Sequence, residues 1–508
     1  LDAVHILSEF FDRYPQHRDR RRAIREVMGI LFKPMLFTTL TTMAGFGSLA
    51  LTPIPPVQVF GIFIAIGVFL AWLCTVTFIP AYIMLMPERR LTGFGHAAGD
   101  PDQDTVMGRW LRRLGEGVVS HARAVLVVTM VVVVAAGYGI SQIRINDNPV
   151  KWFEPEHPIR VADRVLNEHF GGTYMAYLAL VPEGDNAAQD NQIFKRPEVL
   201  RYIARLQQRL GETGVVGKSN SVADLVKTVH RELLGGDDGA FRIPDSPAAV
   251  AQTLLTYQNG HRPQDLWHFV TPDYRRASIW VQLTSGDNRD MSRVVQALDD
   301  FIAANPPPAS IQARWFGLNY INVVWQDKMV SGMAMALFGS FVVVLLLMAL
   351  LFRSLLWGLL CMIPLTVTIG AIYGLIGIIG KNYDMPVAVL SALSLGLAVD
   401  YAIHFLARAR ATQAETGSWR RSVAPMFGEP ARAITRNAIV LGVGFLPLLA
   451  APLVPYQTVG VFIAAILLTA GLSTLLILPA LVTLLQRWLF PGARRAVPNS
   501  QKQEEGVQ

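Results

Sequence analysis

Apolar runs of bilayer length recur along this chain, at about 34–53, 57–86, 122–143, 329–352, 355–380, 386–407, 433–454 and 458–486. Each approaches the roughly 20 residues needed to cross hydrocarbon as a helix. The pattern therefore predicts eight full spans, with a terminal half-span at 1–11. The runs at 57–86 and 458–486 are long enough to continue as helix beyond the hydrocarbon. One interval, 144–328, breaks this rhythm with mixed polar composition. Its periodicity reads helix-like at 158–169, 197–210 and 289–304 and strand-like at 174–181, 278–283 and 311–317. A short strand and another helix lie before about 234. Two βαβ-type units in an α+β domain are the expectation.

Composition agrees with this division. The chain has 508 residues, of which 52% are hydrophobic and only 16% charged, too apolar for an ordinary soluble protein. The net charge of +7 does not point to nucleic acid, because the basic residues sit in short loops between apolar runs. That placement is a topology signal. Segments 13–33, 87–113 and 408–436 and the tail are rich in Arg, whereas the alternate loops 52–57, 380–386 and 451–456 carry one Lys between them. The basic loops all fall on one side, which places them in the cytoplasm and 144–328 outside the membrane. Segments 17–33 and 416–433 read either as interfacial amphipathic helices leading into the next span or as plain connectors. The tail reads as disordered.

A shift of 399 residues superimposes the start of the chain on its end. His5 falls on His404, Gly45-Phe46 on Gly444-Phe445, and Pro53 and Pro56 on Pro452 and Pro455. Gln58 falls on Gln457, Gly61 on Gly460 and Pro80 on Pro479. Apolar composition alone would not align prolines, a glutamine and a histidine at one offset, so the two segments are copies. They run in the same direction, as parallel repeats related by an axis along the membrane normal. By that symmetry the first copy is expected to follow three further spans and a second external domain. Leu1 in place of an initiator Met also reads as the middle of a helix.

The polar exceptions inside the apolar runs are the candidate chemistry. From Pro386 to Ala407 the ionisable side chains are Asp400, Tyr401 and His404, and a carboxylate at a helix centre costs roughly 2.5–3.5 kcal/mol. Asp400 lies about 21 Å into its helix at 1.5 Å per residue, near mid-membrane. His404 shares its face four residues on. The pair could exchange protons near neutrality, or serve as structural glue between helices. Ser391, Ser394, Gly396 and Ala398 keep that helix slim for close packing. Thr38 and Thr42 share a face, and Asn437 is the copy of Thr38. They are either polar neighbours of the carboxylates or, for the threonines, hydroxyls satisfied by their own backbone. Cys74 and Cys361 lie in apolar helices and read as buried small residues. GETGVVGKS (211–219) has one residue too many for a P-loop. His157, His169, His230, His261 and His268 are scattered. No nucleophile–base pair or metal cluster stands out, so no enzyme activity and no cofactor are expected.

The repeat, the large external segment and LGLAVDYAIHFLARAR, with NDNPVKWFEPEHPIRVADRVLNEHFGGT at 146–173, together resemble the resistance–nodulation–division (RND) superfamily. The likeness is to its lipid-handling branches: the MMPL type, the hydrophobe/amphiphile exporters and the hopanoid transporters, with Patched and Niemann–Pick-type proteins further off. The resemblance implies a polytopic α-helical fold of two parallel repeats, the first truncated, with one α+β extracytoplasmic porter-like domain. It numbers the full spans five to twelve and starts the chain in span four. The implied divisions are 1–86 (end of the first repeat), 87–121 (cytoplasmic linker with an amphipathic helix), 122–143 (span seven), 144–328 (external domain), 329–488 (second repeat) and 489–508 (tail). It also implies a proton relay formed by acidic residues on spans four and ten, for which Asp400 and Tyr401 match on span ten. On span four, Leu1 stands at the position of Asp400 and Asp2 at that of Tyr401, which leaves Asp2 and His5 as the candidate partners. The expected activity is proton-driven export of a hydrophobic or amphiphilic substrate, a lipid, from the inner membrane. Membrane lipids and protons are the implied partners, with a homo-oligomeric state and a periplasmic adaptor left open. Two alternatives are a non-transporting, sterol-sensing-like regulator or scaffold and a protein-export auxiliary of the SecD/SecF kind.

Overall fold

The computed structural model describes residues 2–87, 106–182, 192–260 and 262–490. Leu1, His261, much of the 87–121 linker and the tail from 491 onward lie outside the described residues. The chain separates into two compact units, one formed by 1–144, 328–451 and 455–508, the other by 145–327 with 452–454.

The first unit is a bundle of long helices: α1 (Asp2–His17), α2 (Arg20–Gly47) and α3 (Pro55–Leu85), then α4 (Val106–Ser120) and α5 (Ala122–Ser141). Among the described residues, eight helices are long and apolar enough to cross a membrane, matching the eight apolar runs.

The second unit opens with α6 (Pro158–His169) and holds a four-stranded sheet: β1 (Tyr174–Pro182), β2 (Val216–Asn220), β3 (Ala277–Leu283) and β4 (Ile311–Phe316). The order is β2-β3-β1-β4 and every pair is antiparallel. The βαβ passes anticipated from periodicity are therefore interleaved, the split-βαβ arrangement. Strand alternation puts Ala176, Leu178 and Leu180 of β1 and Ile279, Val281 and Leu283 of β3 in the core, because successive side chains face opposite ways. Helices α7 (Pro197–Gly211), α8 (Val222–Leu233) and α10 (Asn288–Ala304) contribute apolar residues to that core, as do Val250 and Leu254. The opposite sheet face carries Tyr177 between Trp280 and Phe316, with ring centroids 5.6 and 5.2 Å away. A helix not anticipated by periodicity, α9 (Pro247–Gln258), starts at Ser246, whose hydroxyl accepts from Ala249 N.

The remaining helices are α11 (Leu318–Phe352), α12 (Leu355–Ile378), α13 (Met385–Thr416), α14 (Trp419–Met426), α15 (Glu429–Phe445) and α16 (Val454–Leu489). The two connectors expected to be alike differ. Residues 17–33 form no separate interfacial helix: α2 runs unbroken from Arg20 into its span, capped by Asp19, which accepts from Arg21 and Arg22 N. In the second copy α14 stands apart. There the chain breaks at Phe427-Gly428 and restarts with Pro430 in the first turn of α15, where a missing N–H costs nothing.

At the turn before the last span of each repeat the copies agree closely. A Cβ added to Gly61 would meet Phe46 O and Leu49 Cβ, and one added to Gly460 would meet Phe445 O and Leu448 Cβ. Gln58 Nε2 donates to Thr52 O at 2.7 Å, and Gln457 Nε2 to Ala451 O at 3.0 Å. Both repeats thus build the same turn before their last span, a short 3₁₀ segment (Ser48–Leu51 or Leu446–Ala450) stapled by the glutamine.

Candidate functional site

The site is assembled from four helices of the first unit. Helix α13 is fixed at its start by Asp384, whose carboxylate accepts from Val387 N at 3.1 Å, and by Pro386. Four turns on, it presents Asp400, 6% exposed, and Tyr401, 1% exposed. The Tyr401 hydroxyl has no hydrogen-bond partner among the described residues. Asp400 is not isolated there: it engages neighbouring groups. Ser394 and Ala398 are buried on the same helix. Gly396 lies against α2 closely enough that an added Cβ would stand 3.1 Å from Thr42 Cα.

Helix α1 enters from the other copy. The ring of His5 stacks on that of His404 with centroids 4.3 Å apart and planes 23° off parallel. These residues occupy the same position in the two repeats, so the pair sits where the copies face each other. His5 Nε2 also meets Asn437 Nδ2 of α15 at 3.0 Å. Thr38, the copy of Asn437, behaves differently: its hydroxyl donates to Met35 O, while its carbonyl accepts from Thr41 and Thr42. Thr42 Oγ1 also lies 3.0 Å from Gly396 O, joining α2 to α13. The His404 Nε2 atom has no hydrogen-bond partner among the described residues. The two histidines are thus equivalent by sequence and unequal by environment.

Of the expected residues, the structure brings together His5, His404 and Asn437 directly, with Asp400 and Tyr401 within one turn of His404 on the same helix. The threonines are mainly satisfied by backbone, and Thr42 ties the copies together. The Asp2 side chain lies outside the described residues. Among the described residues no cluster of three or more His, Cys, Asp or Glu is placed to hold a metal ion. Cys361 is buried, and Cys74 is exposed on the bundle surface, not buried as expected.

Periodicity and composition passed over Glu9. It is 8% exposed and, with His5, His404 and Arg408, lines a cleft of about 210 Å³ walled by Ile30, Pro34, Ala407, Ala433 and neighbouring residues. Two signals could have found it: the spacing His5, Glu9, Arg13, His17 on one helix face, and the offset that sets Glu9 on Arg408.

Comparison with known proteins fixes the family. Residues 3–139 and 197–503 match the MMPL family. The chain belongs to the MMPL family. It has the polytopic helical architecture of an RND-type membrane protein, with eight described helices long and apolar enough to cross a membrane. A membrane protein of Methanocaldococcus jannaschii, MJ1562, is 20% identical over 377 residues, which cover 74% of this MMPL chain and 94% of that protein. The membrane protein ActII-3 of Streptomyces coelicolor is 29% identical over 160 residues, 30% of this chain and 22% of that one. In fold, the chain resembles the cryo-EM structure of the hedgehog release protein Disp from the water bear Hypsibius dujardini. The TM-score is 0.59 at 14% identity, covering 95% of this chain and 62% of Disp. The MMPL chain therefore spans less than two thirds of the length of that structural relative.

Proposed function

We propose that this MMPL protein exports a hydrophobic or amphiphilic substrate, a lipid, from the inner membrane and is driven by protons moving inward through the site. The observation that carries this reading is the placement of Asp400 and Tyr401, buried on α13, one turn from a histidine stack formed by the two repeats. Imidazole is the side chain whose ordinary titration lies nearest physiological pH, and a buried carboxylate on a bilayer helix is retained for a function that outweighs its insertion cost. Loading and unloading a proton there changes the charge at the contact between repeats, which biases one copy against the other. On this reading Asp400, Tyr401, His404, His5 and Asp2 form the relay, with Thr38, Thr42 and Asn437 as its polar surroundings. Residues 144–328 face the extracytoplasmic side and receive the substrate, and 13–33, 87–121 and 408–432 face the cytoplasm, in line with the Arg-rich loops.

The test compares the lipids of inner and outer membranes in wild type, a deletion strain and a strain carrying Asp400→Asn. One lipid class retained in the inner membrane of both mutants is the expected result. A change in the deletion strain alone would make Asp400 structural and the protein a scaffold.

A further inference from the structure

A row of ionisable side chains continues from the ring stack toward the end of α1. His5, Glu9, Arg13 and His17 recur at every fourth position, so they stand one above another on a single helix face. Glu9 Oε1 accepts from Arg13 Nε at 2.7 Å. Arg13 also pairs with Glu26 on α2, and Glu26 Oε2 meets His17 Nε2 at 2.7 Å. The cleft runs alongside this row. Its ionisable lining consists of His5 and Glu9 from α1 and His404 and Arg408 from α13, while α2 and α15 contribute apolar walls, including Ile30, Pro34, Ala433 and Ile434. Its volume of about 210 Å³ is large enough for several waters, and polar groups face it from both α1 and α13.

The repeat makes the row one-sided. At the shift of 399 residues, Glu9 falls on Arg408, Arg13 on Thr412 and His17 on Thr416. The copies agree at the histidine and then diverge, a carboxylate on one wall of the cleft against a guanidinium on the other. Packing would be served equally well by two apolar residues. Arginine does not release its proton, whereas a carboxylate can take one up and give it back, so of the two facing side chains Glu9 is the one able to carry a proton along the cleft.

We infer that this cleft is the aqueous half-channel joining the intramembrane histidine pair to the cytoplasm, with Glu9 as its relay carboxylate. The inference rests on the proton-driven reading above and deepens it. The steps balance. A proton on the His5 imidazolium passes to a cleft water, that water protonates the Glu9 carboxylate, and the Glu9 acid returns the proton to water nearer the cytoplasm. Only N–H and O–H bonds break and form. Successive carriers on the face are about 6 Å apart along the axis, too far for direct transfer, and waters in the cleft span that gap. Arg13, which donates to Glu9 Oε1, is a positioning residue for that carboxylate.

Two readouts on the full chain test this. In a background with Cys74→Ser and Cys361→Ala, cysteines are placed at Ala407 and Ile30 and exposed to a charged, membrane-impermeant thiosulfonate reagent. Labelling in inverted membrane vesicles and not in intact spheroplasts is expected. No labelling from either side, or labelling from the spheroplast side, overturns the half-channel. Glu9→Gln is expected to slow export at least about tenfold and to shift its pH profile, while Glu9→Asp restores most of the rate. An unchanged rate and profile in Glu9→Gln removes Glu9 from the route. The labelling reads water access whether or not Asp400→Asn alters export, so failure of the half-channel and failure of proton coupling are told apart.

Discussion

At Asp287 in the second unit, competing contacts decide one charge. Burial pushes its carboxyl group up, but hydrogen bonds from Lys151 Nζ at 2.8 Å and Asn148 Nδ2 at 2.8 Å outweigh that and leave it below the ordinary carboxylate value. A carboxylate depressed in the folded state stabilises it above the unfolded value, about 3.9 for Asp, and the contribution is lost as pH falls through the folded value. Because Lys151 is 47% exposed, solvent screening reduces the gain to about 1 kcal/mol. Asp287→Asn is expected to lower amide-exchange protection over residues 147–152 near neutrality and to remove its acid dependence, after correction for intrinsic rates. A variant with wild-type acid dependence would assign that dependence elsewhere. The intramembrane residues were easier to find in sequence than this one. Asp400, Tyr401 and His404 stand out because hydrocarbon makes any polar group conspicuous, and His5 follows from the offset. Glu9 was hidden because it lies near the Arg-rich end of its helix, where an acid is commonplace. The four-residue spacing from His5 to His17, the offset that sets it on Arg408 and the cleft between them single it out.

Helix α12 meets α5 through glycines. A Cβ on Gly374 would lie 2.5 Å from Ala136 Cα, and one on Gly377 would lie 1.8 Å from Gly139 O, so the backbones touch with no side chain between them. Close approach of this kind strengthens dispersion contacts where no hydrophobic drive separates protein from lipid. Gly377→Ala is therefore expected to destabilise the bundle by about 1–3 kcal/mol through overpacking, read as a lowered melting temperature of the purified protein in detergent. Gly370→Ala, with nothing within 4 Å of its added Cβ, should leave the melt unchanged. Equal melts for the two variants would mean that the helices can move apart freely. Most element identities were legible because apolar run length and strand alternation are strong signals. The failures have local causes. Residues 17–33 read as a separate interfacial helix or a plain connector, yet Asp19 caps α2 and Glu26 pairs back to α1, so one helix runs on into the span. α9 lacks a clear apolar face, and its start depends on Ser246 and Pro247.

Across the whole molecule, the offset of 399 residues was legible and so was the number of spans. The asymmetry between the copies was not, because it arises from partners: Asn437 beside His5, and no matching amide beside His404. Orientation in the membrane yields a further prediction. With Cys74 and Cys361 replaced, Glu212→Cys, at a half-exposed position beside Arg209, should react with an impermeant maleimide in intact cells, and Arg420→Cys only after lysis. The reverse pattern would invert the topology. Residues related by a two-fold axis and in contact with each other must straddle that axis. Points close to a rotation axis hardly travel when the halves turn about it, whereas any tilt that wedges the halves apart separates them at once. The distance between the His5 and His404 rings is thus blind to twist and sensitive to hinge opening, a natural gauge of which motion the two repeats perform.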